Sequence, residues 1–123
     1  MDANSLLILL TTGPEDRGSR ATLAFSMAVT ALISGVEVTI YTTMGGTFWS
    51  RENSERSVHI DGFEPLRTYV GQFLEAGGKL QVCSPCEAFF CAIADGMPLR
   101  TGAVVCGLAH IVDLAMRSSV VTL

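Results

Sequence analysis

Apolar residues along this 123-residue chain fall into short continuous runs separated by longer amphipathic stretches. Short runs rich in β-branched residues predict strands, and their continuous apolar character is typical of parallel strands covered on both faces. We predict five strands, at 5–11, 36–42, 80–83, 103–106 and 118–123.

The stretches between the predicted strands have helical periodicity, with the first helix capped by Asp16 or Ser19 and ending near residue 34. Three further helices are predicted at 65–76, 85–94 and 108–116. Strict alternation of strands and helices predicts an α/β fold. We expect one domain over residues 1–123, a three-layer α/β/α sandwich with a five-stranded, mainly parallel sheet, flavodoxin-like in general layout.

Residues 43–64 form the least regular part of the sequence and contain Gly45-Gly46 followed by Phe48 and Trp49, which we expect to be exposed. A loop of this length inside a compact domain is usually functional or an oligomer contact. We expect this loop to shelter the candidate catalytic residues Cys83 and Cys86.

The composition is apolar, with 49% hydrophobic and 16% charged residues. A domain this small normally covers its large relative surface with polar groups, so we expect a homo-oligomer. The longest uncharged stretch, 21–36, is shorter than the roughly 20 apolar residues of a spanning helix, which argues against a membrane span. The acidic start of the chain lacks the basic region of a secretory signal, and we expect a cytoplasmic protein.

Eight basic and twelve acidic residues give a net charge of −4, without a cluster of Lys or Arg. Nucleic-acid binding requires a basic footprint, so we do not expect it. The turn after the first strand, 12–20, is neither a P-loop nor a G-x-G-x-x-G motif, and nucleotide binding is unsupported.

The most informative motif is Cys83-Ser84-Pro85-Cys86, at the junction of a predicted strand and a predicted helix. Ligands and chemistry gather at the carboxyl ends of strands in open α/β sheets. A thiol at a helix N-terminus faces the positive end of the macrodipole, which favours the thiolate. Ser84 is the expected N-cap, and Pro85 fits the first helical turn. Cys83 and Cys86 are therefore our candidate catalytic residues.

Three other interpretations of these cysteines are a thioredoxin-like dithiol, a metal centre and a pair of inert thiols. A thioredoxin-like dithiol would lie earlier in the chain, and Pro98 follows too closely to be the proline that faces such a site. A zinc or iron–sulfur centre would need Cys83, Cys86, Cys91 and Cys106, with His110 nearby, but only one C-x-x-C pair exists. Cys91 and Cys106 fit core positions better. The third interpretation is a pair of inert buried thiols.

Two histidines lie near acidic residues. His110 and Asp113 are three apart on a predicted helix and can touch, and His59 is close to Asp61. Ordinary surface or satisfied histidines are the commoner case, and the sequence contains no convincing Ser/His/Asp arrangement.

The whole chain resembles the DsrE/TusD-like (DsrE/DsrF-like) sulfur-relay family. The matching segments are the opening strand with Thr12-Gly13-Pro14, the helix ending in Gly35-Val36-Glu37-Val38, the strand Leu80-Gln81-Val82-Cys83, and the ending from Val105-Cys106-Gly107 through Ser119 to Leu123. The resemblance implies a parallel-sheet α/β sandwich, assembly into homo- or hetero-oligomers, and sulfur handed between protein thiols.

By this resemblance, Cys83 matches the cysteine directly after the third strand that carries sulfur as a persulfide. The leading hypothesis is a sulfur carrier or sulfurtransferase that accepts sulfane sulfur on Cys83, as a persulfide or thiosulfonate. We expect donor and acceptor proteins of a relay as partners, a homotrimer or homohexamer, and no cofactor or metal.

The second thiol, Cys86, is a departure from carriers that use one acceptor. It could resolve a Cys83 persulfide into a disulfide, serve as an alternative acceptor, or tune Cys83 by hydrogen bonding. The helix dipole favours Cys86 as the nucleophile and the family position favours Cys83, which we rank first. The competing hypothesis is a non-catalytic oligomeric α/β module whose C-x-x-C is structural, redox-sensing or metal-binding.

Overall fold

The computed structural model describes residues 4–93 and 97–123 and, at 90–93, the backbone alone. Its strands are β1 (Ser5–Leu10), β2 (Glu37–Thr42), β3 (Lys79–Cys83), β4 (Ala103–Cys106) and β5 (Ser119–Thr122). Each predicted strand is confirmed to within one residue at either end. The strands pair in parallel throughout, in the spatial order β4-β3-β2-β1-β5. The predicted α/β fold with a parallel sheet is confirmed.

The helices are α1 (Ser19–Ile33), α2 (Leu66–Glu75), α3 (Ser84–Ile93) and α4 (Leu108–Ala115). The predicted end of the third helix, at Ala94, lies outside the described residues. Short 3-10 helices occur at Pro14–Asp16 and Met44–Ser50. The N-cap of α1 is Gly18 rather than Asp16 or Ser19, but the Asp16 carboxylate accepts the N–H groups of Gly18 at 3.0 Å and Arg20 at 2.9 Å and so satisfies donors at the helix start.

The helices cover the two faces of the sheet unequally. Along β1, Ile8 and Leu10 point into the larger core, which α1 and α2 cover. In that core Phe25 and Phe73 meet edge to face, with ring centroids 5.5 Å apart. Leu7 points to the opposite face, into a smaller cluster that includes Ile111 of α4. The period-2 alternation of β1 therefore separates a thick layer from a thin one.

Residues 43–64 pack more tightly than expected. The prediction of an exposed Trp49 is wrong: the side chain is 1% exposed and its indole N–H donates to the Thr12 carbonyl at 2.9 Å. Phe48 is half-buried and meets Trp49 edge to face at 4.9 Å. The segment folds back over the turn after β1, and that long-range packing leaves no periodic signal in the sequence.

A buried arginine anchors this segment to the chain just before β4. The Arg100 guanidinium donates to the carbonyls of Trp49 and Arg51, to the Ser54 hydroxyl and to the Glu55 carboxylate at 2.8 Å. Burial opposes ionisation of Glu55, but the hydrogen bond and charge of Arg100, a backbone hydrogen bond and the charge of Arg67 together outweigh it and lower the pKa of that carboxyl. A buried charge paired in this way is costly to disrupt, so the segment is held in one conformation.

The close approach of Gly46 to β1 gives a test of this packing. A Cβ at Gly46 would lie 1.9 Å from the Leu10 carbonyl oxygen, a backbone atom that cannot move aside, whereas a Cβ at Gly71 in α2 would meet nothing within 4 Å. We expect Gly46→Ala to lower the free energy of unfolding by at least roughly 1–3 kcal/mol. The control Gly71→Ala should raise it by about 0.5–1 kcal/mol, because alanine is the better helix former. Urea unfolding followed by circular dichroism measures both, and unchanged stability in Gly46→Ala would contradict the packing.

Candidate functional site

Three thiols meet at the carboxyl edge of the sheet. β3 ends at Cys83, and α3 starts at the next residue, Ser84. Cys86 follows in the first turn of α3, and the parallel pairing of β3 with β4 places Cys106 directly beside Cys83. These three cysteines are free thiols. The fold thus brings the two predicted site residues together and adds a third thiol, Cys106, that sequence analysis assigned to the core.

Cys83, rather than Ser84, is the residue directly before the first residue of α3. α3 begins one residue earlier than predicted, so Cys83 is the residue that precedes it, and the Cys86 N–H helps to lower the pKa of the Cys83 thiol. Cys86 is the third helical residue, whose N–H an N-cap side chain can accept. Pro85 at the second helical position has no N–H, which leaves the Cys86 N–H as the donor needing a partner. The helix-terminus argument that favoured Cys86 therefore applies to Cys83 as well.

The surroundings of Cys83 favour its thiolate. The side chain is buried, at 3% exposure, and burial by itself opposes ionisation. Hydrogen bonds from the Thr43 hydroxyl, the Cys86 N–H, the Tyr41 hydroxyl and the Cys86 thiol outweigh burial and lower the pKa of Cys83. A lower pKa increases the fraction of the nucleophilic thiolate at neutral pH.

Tyr41 is a site residue that sequence analysis missed. It is buried in β2 and pairs with Gln81, two residues before Cys83, so its side chain shares the face of the sheet that carries Cys83. Burial, the hydrogen bond to Cys83 and the nearby cysteines raise the pKa of Tyr41 well above its ordinary range. The phenol therefore stays protonated and remains a hydrogen-bond donor. The signal that could have found it is the alternation along β2 combined with the β2–β3 register.

Cys86 is more exposed to solvent than Cys83. Its half-buried sulfur accepts hydrogen bonds from the Met44 N–H at 3.2 Å and lies 3.6 Å from the Thr43 hydroxyl. Met44 has a φ of +52°, a left-handed conformation that is uncommon for residues other than glycine and is often found at functional sites. Cys86 also lines an open cavity of about 430 Å³ together with Met44, Gly45, Pro85 and Phe89. From the segment expected to shelter the site, Thr43, Met44 and Gly45 thus lie beside Cys86 or line this cavity.

A charge contact fixes α3 against the same segment. The Arg51 guanidinium and the Glu87 carboxylate lie 2.9 Å apart, close enough for an ion pair but not aligned as a hydrogen bond. Both side chains are largely buried, which limits screening by solvent. Because Glu87 follows Cys86 directly, this contact helps to hold the first turn of α3 in place.

The zinc interpretation finds no support in the described part of the chain. Among residues 4–93 and 97–123, apart from the side chains at 90–93, no group of three or more His, Cys, Asp or Glu side chains is arranged to hold a metal ion. The side chain of Cys91, one of the ligands considered, lies outside the described residues. Cys106 is half-buried, and burial raises the pKa of its thiol.

The histidines take no part in the thiol cluster. His110 is exposed on α4, and Asp113 pairs with Arg117 at 2.9 Å. The Nε2 atom of His59 lies 2.9 Å from the Phe63 carbonyl, in the 43–64 segment. Asp113 and His59 thus use these local partners, which agrees with ordinary histidines outside the thiol site.

The helices that the structure describes include none with the length and apolar character needed to cross a membrane. This finding agrees with the expectation drawn from the 21–36 stretch, which contains most of α1.

The all-parallel sheet, with a thiol at the β3–α3 junction, defines a thiol-bearing α/β protein. The model of the DsrE/DsrF-like family matches residues 4–123, and the chain belongs to this family. The family suggests a part in sulfur relay in general. The resemblance found in the sequence is thereby confirmed.

Solved structures show the same fold. The ychN protein from E. coli superposes with a TM-score of 0.74 over 98% of this chain and 99% of its own, at 10% identity. The conserved protein of unknown function BT1422 from Bacteroides thetaiotaomicron gives a TM-score of 0.53 over 96% of this chain and 94% of its own, at 15% identity. No curated protein sequence matches the chain.

The hydrogen bond from Tyr41 to Cys83 leads to a prediction about reactivity. Tyr41→Phe removes a donor that stabilises the thiolate, so the pKa of Cys83 should rise. Alkylation of Cys83 by iodoacetamide at pH 7 should slow roughly 2- to 10-fold, the range expected for one hydrogen bond. Rates measured across pH, with Cys83 located by peptide fragmentation, test this.

Tyr69→Phe is the matched control, because the Tyr69 hydroxyl accepts a hydrogen bond from the Glu64 N–H and bonds to none of the three described thiols. Its alkylation profile should equal that of the unmodified chain. An identical profile in Tyr41→Phe and Tyr69→Phe would show that the Tyr41 hydroxyl does not stabilise the Cys83 thiolate.

Proposed function

We propose that this chain is a sulfur carrier with sulfurtransferase-like chemistry, which accepts sulfane sulfur on Cys83 as a persulfide or thiosulfonate and passes it to a partner's thiol. The observation that carries the proposal is the position of Cys83, between the carboxyl end of β3 and the first turn of α3, among hydrogen bonds that lower its pKa. Membership of the DsrE/DsrF-like family supports a role in sulfur transfer as well.

The loading step uses the Cys83 thiolate as the nucleophile. The thiolate attacks the outer sulfur of a donor persulfide, a new S–S bond forms at Cys83, and the donor leaves as its thiolate with the electron pair of the broken S–S bond. In discharge, an acceptor thiolate attacks the outer sulfur and Cys83 leaves as the thiolate. The hydrogen bonds to Cys83 assist both steps, because they raise the thiolate fraction in the first and improve the leaving group in the second.

The contacts of Cys86 support one of its three candidate roles directly. Its thiol hydrogen-bonds to Cys83 and contributes to the lowered pKa of that residue. Cys86 also lines the open cavity beside Met44 and Phe89, and so lies between that cavity and the buried Cys83. We therefore assign to Cys86 the tuning of Cys83 at the entrance of the site.

A redox role is the second candidate function. The contact between the Cys83 and Cys86 thiols, in a C-x-x-C pair at a helix start, is also suited to a reversible disulfide. Such a protein would sense oxidants and carry no sulfur. The two functions differ in mass: a disulfide removes two hydrogens, whereas a persulfide adds one sulfur atom.

We further propose that the carrier is a homo-oligomer, a trimer or a hexamer, working in the cytoplasm with donor and acceptor proteins. The support is an apolar patch on the thin side of the sheet, which we call the α4 patch. It consists of side chains on α4 and its C-terminal cap that are exposed by 56–83%, namely Leu108, Val112 and Met116. Contiguous exposed apolar surface of this kind marks interaction sites.

Sulfur loading distinguishes the candidate functions. After exposure to a persulfide donor, the reduced protein should gain the mass of one sulfur atom, and the gain should be lost on reduction. Cys83→Ser should abolish the gain, because it removes the nucleophile. Cys86→Ser should retain the gain and load more slowly, because one hydrogen bond to Cys83 is weakened. Intact-mass spectrometry measures all three forms.

The substitution Cys83→Ser should leave the protein folded, so that a loss of loading reports on the thiol itself. A serine hydroxyl can accept the Cys86 N–H bond at the N-cap, so Cys83→Ser should change the free energy of unfolding by less than about 1 kcal/mol. Loading retained in Cys83→Ser would refute Cys83 as the acceptor, and oxidation to a disulfide without any loading would favour the redox function.

The α4 patch gives a separate prediction. Leu108, Val112 and Met116 are spaced four residues apart and form one exposed stripe. A charge at its centre is costly to bury in an interface, so Val112→Glu combined with Met116→Glu should shift the oligomer toward monomer at the same concentration. Light scattering after size exclusion measures the mass.

Ile33→Glu is the matched control, since Ile33 is 81% exposed at the end of α1, outside the patch. It should leave the mass unchanged. A monomeric unmodified chain, or an oligomer that survives both α4 substitutions, would remove the patch from the interface.

A further inference from the structure

A third thiol lies beside the proposed acceptor in a position that the proposed loading step does not use. Cys106 is the last residue of β4 and is the registered partner of Cys83 on β3. Both side chains join the same cluster, together with Tyr41 and Ile111, on the α4 face of the sheet. The Tyr41 hydroxyl lies 3.4 Å from the Cys106 carbonyl and also hydrogen-bonds to the Cys83 thiol, so one side chain spans both positions.

The geometry of paired strands brings the two sulfur atoms within reach of each other. Neighbouring strands lie about 4.8 Å apart, and registered residues of a parallel pair project to the same face. A persulfide extends the Cys83 side chain by a further S–S bond of about 2 Å. The outer sulfur can therefore reach Cys106 without any movement of the backbone.

Position at the edge of the sheet gives Cys106 better access to solvent than Cys83 has. Among the strands that the structure describes, β4 lies at the edge of the sheet and pairs only with β3. Cys106 is half-buried, whereas Cys83 is 3% exposed, and the adjoining residues Val105 and Gly107 are exposed. A partner protein can contact Cys106 from the side of β4, away from the cavity beside Cys86.

From this arrangement we infer that Cys106 is a second sulfur-carrying residue, which takes the sulfane sulfur from Cys83 within one chain and presents it at the β4 edge to an acceptor thiol. The inference rests on the proposed function of Cys83. It divides the site into an entrance beside Cys86, a buried loading thiol at Cys83 and an exit at Cys106.

The transfer is balanced without an oxidant. Cys106 gives its proton to water, and its thiolate attacks the outer sulfur of the Cys83 persulfide. An S–S bond forms at Cys106, the S–S bond at Cys83 breaks, and Cys83 leaves as the thiolate with the electron pair. The sulfane sulfur keeps its oxidation state, so nothing is oxidised or reduced overall.

The pKa values of the two thiols differ in the direction that favours transfer of sulfur from Cys83 to Cys106. Burial raises the pKa of Cys106, whereas hydrogen bonds lower the pKa of Cys83. A thiolate of higher pKa is the stronger nucleophile once formed, and one of lower pKa is the better leaving group. Because Cys106 must first lose its proton, the transfer should accelerate as the pH rises through neutrality.

Trypsin provides a direct readout in the unmodified protein. Cleavage after Arg100 and Arg117 isolates Cys106 as the single cysteine of peptide 101–117, whereas the other three cysteines lie in peptide 80–100. The protein is loaded with a small-molecule persulfide, quenched with iodoacetamide at several times and digested. Added sulfur should appear first on peptide 80–100 and then on peptide 101–117, at a rate unchanged by dilution of the protein.

Three variants complete the experiment. Cys83→Ser should reduce sulfur on peptide 101–117 at least about tenfold, since the intramolecular source is removed. Tyr69→Phe, whose hydroxyl accepts a hydrogen bond from the Glu64 N–H, is the control and should leave loading and transfer unchanged. Cys106→Ala should load Cys83 normally but hand sulfur to an external protein thiol more slowly.

The possible failures separate the two proposals. Loading of Cys83 without sulfur on peptide 101–117, and with normal discharge in Cys106→Ala, would overturn the role of Cys106 and leave the carrier function intact. Equal loading of Cys106 in Cys83→Ser would overturn the transfer between them. Absence of loading on Cys83 in every form would overturn the carrier function and this inference with it.

Discussion

The direct passage of β3 into α3 at Cys83 is the constraint on which the rest of the site depends, because no loop separates the last residue of the strand from the first turn of the helix. The Cys86 N–H, in that first turn, stabilises the Cys83 thiolate and helps to lower its pKa. This junction fixes the sulfur at the carboxyl edge of a parallel sheet. Tyr41 and Thr43, from the end of β2, then reach the same sulfur. A buried thiol, which would otherwise resist ionisation, is thereby held with a lowered pKa.

The uneven layering of the sheet explains how a stable fold carries a reactive site. The thick side, with α1 and α2, buries the aromatic pair of Phe25 and Phe73 and most of the core. The thin side, with α4, contains the thiols and leaves apolar surface exposed. Arg100 anchors the middle of residues 43–64 through Arg51 and Glu55, and the contact between Arg51 and Glu87 links the segment to α3. The site therefore rests on a rigid support while its own face stays open to partners.

Local patterns predicted the strands, the helices and the placement of Cys83, because buried parallel strands and amphipathic helices have periodic signatures. Tyr41 and Cys106 could not be assigned in this way, since their nearness to Cys83 comes from strand register between distant segments. The buried Trp49 was missed for a related reason: its segment is irregular, and its packing depends on the distant Thr12 and Gly18. α3 starts one residue earlier than predicted, at Ser84, directly after the last residue of β3.

The most direct test of this account is the pKa of Cys83 in the folded, reduced protein. Thiolate absorbance near 240 nm, followed across pH in the unmodified chain and in Cys83→Ser, gives the titration of that one thiol by difference. The account predicts a Cys83 titration below the ordinary cysteine pKa of about 8.5. A titration at or above that value would show that burial outweighs the hydrogen bonds, and the central claim of an activated thiolate at the β3–α3 junction would be wrong.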